Sequence, residues 1–153
     1  MTGFQVTTEV CKGLIAAAVF GCLGLALAYP VVSLAPGKGW HLLIISSGLA
    51  TFAVGLVLWR RLCAAARATS PRRGALVGAL TGLLAHPLAW YFLILFNYLF
   101  GGPNSLGDQP LNPLEGLWGC FVFAFWSIFL TGWFTIPAGA ITGWLLVRAM
   151  RGR

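Results

Sequence analysis

From Gly74 to Phe100 the chain reads GALVGALTGLLAHPLAWYFLILFNYLF, with no formal charge in the whole stretch. A helix rises about 1.5 Å per residue, so about 20 apolar residues cross a hydrocarbon core about 30 Å thick. This stretch therefore crosses a bilayer as one helix, with length to spare. Its first half carries Gly74, Gly78 and Gly82 at four-residue spacing, and the next place on that row is His86, followed by Pro87. The most unusual pair in the segment thus falls near the middle of the membrane.

The rest of the chain agrees. It is 59% hydrophobic and 8% charged, whereas charged residues make up about a quarter of an ordinary soluble protein. The sequence predicts an all-α integral membrane protein, a single domain over 1–153. Its four transmembrane helices, at about 13–34, 40–59, 74–100 and 116–147, pack as a bundle. The first apolar stretch contains an A-x-A pattern at Ala26-Leu27-Ala28 but is read as a membrane helix rather than a cleaved leader. The last segment is uncharged from Gly116 to Val147. As one helix it overshoots the bilayer, so the surplus must go into tilt, a kink at Pro137 or an extension beyond the membrane.

Charge sets the orientation. Residues 60–73, RRLCAAARATSPRR, hold five of the ten basic residues and no acid, while 101–115 carry Asp108 and Glu115 and no Lys or Arg. Basic loops stay on the cytoplasmic side. The expected topology is N-in/C-in, with Lys38 as the exception, in a plasma membrane of the bacterial inner-membrane kind. Arg60, Arg61, Arg67, Arg72 and Arg73 then form a cytoplasmic anchor facing anionic lipid. The net charge of +7 reflects this anchoring and not nucleic acid, because no basic cluster lies on a folded soluble surface. The tryptophans and tyrosines near the span ends, Trp40, Trp59, Trp90, Tyr91, Tyr98, Trp118 and Trp144, read as interface belts.

Every span carries a row of small residues: Ala17, Gly21, Gly24 and Ala28; Ser47, Gly48, Thr51 and Gly55; Gly74, Gly78 and Gly82; Gly139 and Gly143. In lipid, where apolar transfer drives no association, such rows let helix backbones approach closely. The third and fourth helices are expected to pack most tightly where Gly74, Gly78 and Gly82 meet Gly139 and Gly143. The cysteines Cys11, Cys22, Cys63 and Cys120 form no C-x-x-C pair and read as small buried apolar residues.

Counting inward from the span ends places Cys22, Thr51, His86 with Pro87, and Thr135 with Pro137 near one depth. Pro87 and Pro137 each free a carbonyl four residues earlier, and interrupted helices at matching depth mark binding sites in transporters. His86 either handles a substrate or proton there or is a structural link between helices. Two ligands, Cys22 and His86, fall short of a metal site. A haem held by His41 and His86 fails on depth. The only acids, Glu9, Asp108 and Glu115, lie outside the spans, which excludes intramembrane carboxylate chemistry. No cofactor and no enzymatic activity are expected. The sequence favours a non-catalytic subunit or accessory factor of a larger membrane assembly, partnered by other membrane subunits or by copies of itself. The alternative is an oligomeric channel or carrier with a midplane site around His86.

Overall fold

The computed structural model describes residues 3–34, 41–64, 70–101 and 109–151, with side chains described for 10–34, 41–63, 70–101 and 109–151. Lys38, Arg67, Asp108 and the side chain of Glu9 lie outside these. The described residues form four α-helices: α1 (Gly3–Ser33), α2 (His41–Leu58), α3 (Pro71–Phe100) and α4 (Pro113–Arg151). All four are long and apolar enough to cross a membrane. Only 17–28% of the most apolar window of each is buried within the protein. The remaining Leu, Phe and Trp surface is far larger than water tolerates, and a multi-pass membrane protein is the state that accommodates it.

The helices are longer than their uncharged cores suggest. Ser70 caps α3, its hydroxyl accepting from the Arg73 amide at 3.2 Å, and Pro71 takes the first helical position, where its missing N–H costs nothing. Asn112 and Pro113 repeat this device at the start of α4, the Leu114 amide donating to the Asn112 side chain at 3.0 Å. Arg72 and Arg73 therefore sit in the first turn of α3 and not in a loop. Arg60 and Arg61 lie in a π-helical continuation of α2, Trp59–Ala64. α4 is a single helix of 39 residues that runs through Pro137, about 58 Å long. It begins three residues earlier than the charge pattern implies, and residues 113–115 of the expected outer loop belong to it.

Two seams hold the bundle. Along α1 and α2, Gly21 faces Gly48 and Phe52, and Gly24 lies against the Thr51 hydroxyl and the Ser47 carbonyl. Along α3 and α4, a methyl group added at Gly78 would land on the Gly139 carbonyl, and one added at Gly139 on the Gly78 carbonyl. Gly74 and Gly143 are paired in the same way. The backbones there are in direct contact, which only glycine on both sides permits. One step further along, Gly82 meets the Thr135 carbonyl. α2 and α3 are joined by small residues, Ala50 against Ala85 and Ala89. Ser46, one turn from Ala50 on the same face, is fully buried and its hydroxyl has no partner among the described residues. Ser46→Ala is expected to raise thermal stability by about 1 kcal/mol, because an unsatisfied buried hydroxyl is removed at almost no change in volume; melting of the purified protein in detergent checks it.

The helices close up only at the basic end. There Ala16 and Phe20 of α1, Trp59 and Cys63, Val77 of α3 and Val147 of α4 form one buried cluster. Trp59, expected in an interface belt, is instead 3% exposed. The wide π-helical turn puts it and Cys63 on the inner face together. Trp144 is exposed, with the Arg148 guanidinium 5.2 Å from its ring centre. Away from this end, α3 and α4 stay together and α1 and α2 stay together, while α1 and α4 touch only sparsely.

Candidate binding cleft

Because α1 and α4 diverge, the far half of the bundle encloses a cleft of about 340 Å³, open on one side. Its floor is formed by Phe20, Thr81 and Gly139, just above the buried cluster. Its outer rim holds Val31, Leu43, Trp90 and Phe123. Leu27 and Val31 on one lip and Trp126 and Leu130 on the other face each other across the gap.

The lining is mostly apolar, with Trp90 and Phe123 stacked at a ring-centre distance of 4.9 Å and an interplanar angle of 25°. The polar groups are Ser47 and Thr51 on α2, Thr81 and His86 on α3, and Ser127, Thr131 and Thr135 on α4. His86, on the Gly82 row of α3, turns toward α4 and uses both ring nitrogens: Nδ1 lies 2.8 Å from the Ser127 hydroxyl and Nε2 3.1 Å from the Thr135 hydroxyl. Ser127 and Thr135 are two helical turns apart, so the imidazole bridges them like a strut along the seam. A neutral imidazole offers one donor and one acceptor. Hydroxyls can answer either, and the ring is fully satisfied where an unpaired polar group would cost several kcal/mol.

The other threonine hydroxyls of the lining behave differently. Thr51 donates to the Ser47 carbonyl at 2.8 Å, Thr81 to Val77 at 2.8 Å and Thr131 to Ser127 at 2.8 Å. Each is bonded back to its own helix, four residues earlier. No such back-bond is made by Ser127 or Thr135, whose hydroxyls are turned to the imidazole instead.

The depth count brings His86, Thr51 and Thr135 to one cleft, as three of its lining residues. The others lie outside it. Cys22 is exposed and points away, because Gly21 and Gly24 take the α2-facing side of α1 and Cys22 lies about 130° around the helix from the middle of that side. Cys11 is exposed as well, so only Cys63 and Cys120 are buried as expected. Pro137 is exposed and Pro87 half-buried. Neither lines the cleft, nor do Leu83 and Trp133, whose carbonyls the prolines release. The interrupted-helix positions therefore lie apart from the cleft. Trp90, assigned to a belt by its position, is part of the aromatic wall. Ser127, which the depth count does not include, belongs to a hydroxyl row at four-residue spacing, Ser127, Thr131 and Thr135, on the cleft side of α4. Among the described residues, no three His, Cys, Asp or Glu side chains come together as a metal-binding group.

Comparison with known protein families, with curated proteins and with solved structures finds no match. The cleft itself is what bears on function.

Proposed function

We propose that this is a non-catalytic membrane protein whose working part is the side-open cleft, and that it takes up an uncharged, largely apolar small molecule directly from the bilayer. The observation that carries this reading is the cleft's chemistry: about 340 Å³ of apolar space, open between α1 and α4 and without a charged side chain in its lining. An ion would find no counter-charge there, and its desolvation would go uncompensated. A hydrocarbon-soluble guest enters with no such cost. The proposed topology is N-in/C-in, set by Arg60, Arg61, Arg72, Arg73, Arg148 and Arg151 at the basic end. In that orientation the buried cluster seals the cleft on the cytoplasmic side.

A place in a larger assembly is the second reading. It is favoured by the outer face of α4, where Trp118, Phe121, Phe125, Phe129 and Trp133 are all more than 60% exposed. Aromatic residues are enriched at the centres of protein interfaces. The two readings are compatible, since an accessory subunit can hold a lipid-soluble guest for its partner.

Photolabelling in liposomes tests the cleft. An apolar diazirine probe is expected to label Leu23 and Ser47 saturably, because they line a site of fixed capacity. Labelling of Phe125 and Phe129, on the lipid-facing side, should rise in proportion to the probe. Ala28→Trp, which adds an indole at the α1 lip, is expected to abolish at least about nine-tenths of the saturable part, a loss of about 1.4 kcal/mol or more in binding. Linear labelling everywhere would show that the cleft holds nothing.

A further inference from the structure

We infer that the guest is a planar, uncharged molecule of about two fused rings that carries a carbonyl oxygen on its edge, the shape and chemistry of a quinone or aryl ketone. This rests on the reading of the cleft as a binding site. Size comes first. A cavity of about 150 Å³ holds benzene, so about 340 Å³ corresponds to about a dozen non-hydrogen atoms by the same scaling. Flatness follows from the walls: Phe20, Trp90, Phe123, Trp126 and Phe134 supply ring faces and edges around the space, and aromatic surfaces pair with rings at offset-stacked and edge-on geometries.

The carbonyl follows from proton accounting along the polar wall. Thr51, Thr81 and Thr131 have already given their hydroxyl protons to their own helices. Ser127 and Thr135 have not, and both are bonded to His86. In a neutral imidazole one nitrogen carries the proton and the other does not, so one of the two hydroxyls donates to the ring and the other accepts from it. The accepting hydroxyl keeps its own proton, which no other group in the described structure takes up. Both oxygens belong to cleft-lining residues. The α3–α4 wall therefore presents one spare donor inside a water-poor cavity that the Ser47 hydroxyl of α2 also lines, and a neutral acceptor on the guest satisfies it. A carboxylate would also accept, but it would enter with a charge that no lining residue balances. A bare hydrocarbon would leave the donor unmet.

The test is competition against the saturable photolabelling of Leu23 and Ser47 by three probes that share a two-ring skeleton: 2-methyl-1,4-naphthoquinone, naphthalene and 2-naphthoate. Concentrations are expressed as mole fraction in the bilayer, so that partitioning cancels. The quinone is expected to displace the label at about a tenfold lower mole fraction than naphthalene, the worth of one hydrogen bond in a dry site, and 2-naphthoate is expected not to compete. In a variant combining His86→Leu, Ser127→Ala and Thr135→Val with Ser47→Ala, the quinone should lose that advantage, read at Leu23, while naphthalene competes unchanged. Equal displacement by quinone and naphthalene in the native protein, or effective competition by 2-naphthoate, would overturn the inference and leave the apolar cleft standing. Absence of any saturable labelling would remove the cleft reading, and this inference with it.

Discussion

Gly78→Ala is expected to be the most damaging single methyl group that can be added to this protein, with a loss of about 2–3 kcal/mol, at the upper end of the usual cost of overpacking. The added carbon lands on the Gly139 carbonyl, and the atoms beyond it are again Gly139 and Ala140 backbone. No flexible side chain is available to move aside. The two helices must separate, and Gly74 against Gly143 must open with them. In lipid there is no compensating transfer of apolar surface, since the bundle is held by close packing. Gly119→Ala provides the internal control. Its added methyl meets only Phe123 and Leu111 side chains at 3.7–4.0 Å, and the gain in helix propensity, about 0.5–1 kcal/mol, makes it neutral or stabilising. Thermal unfolding followed by circular dichroism compares the two variants under identical detergent conditions. A Gly78→Ala protein as stable as the native one would show that the glycine seam is not where α3 and α4 are held.

His86→Ala is expected to destabilise the bundle by about 2 kcal/mol. Two interhelical hydrogen bonds are lost, at about 0.6 kcal/mol each on the average for membrane proteins, and a void replaces a half-buried ring. The strut reading makes a sharper prediction about rescue. If all three partners are replaced together by His86→Leu, Ser127→Ala and Thr135→Val, no polar group is stranded, and most of the loss should be recovered, as is usual when both sides of a buried hydrogen bond are made apolar. The melting temperatures of the single and triple variants check this directly. A proton- or ion-handling histidine would give a different pattern: the folded particle would survive His86→Ala, and function would be lost in the single and triple variants alike.

These residues also show how far the sequence can be read. Four spans follow from run length alone, and the α3–α4 seam follows from glycines repeated every four residues, because a row at that spacing stays on one face of a helix. The true helix starts were written in Ser70-Pro71 and Asn112-Pro113, but charge was a louder signal than capping, and arginines in a first turn look like arginines in a loop. Counting from span ends gives depth and not direction around the helix. That is why Thr51, His86 and Thr135 come together while Cys22, at the same depth, faces outward. Pro87 and Pro137 mislead for the same reason: their depth matches the cleft, but their sides of α3 and α4 do not. The cleft itself is invisible to periodicity. It exists because α1 pairs with α2, α4 pairs with α3, and the ends of this chain of contacts meet only around Phe20, Val77 and Val147. The spacing of two helices that are distant in sequence leaves no local mark. Ser127 was legible in principle, as one of three hydroxyls on a single face of α4.

The most direct measurement is the mass of the intact particle released from its native membrane in a mild detergent and then stripped step by step in the spectrometer. The cleft reading predicts one uncharged, lipid-soluble molecule retained per chain, held more tightly than bulk phospholipid and missing from the Ala28→Trp protein. A chain that carries only exchangeable phospholipid, in the same amount with and without the Ala28→Trp substitution, would contradict it.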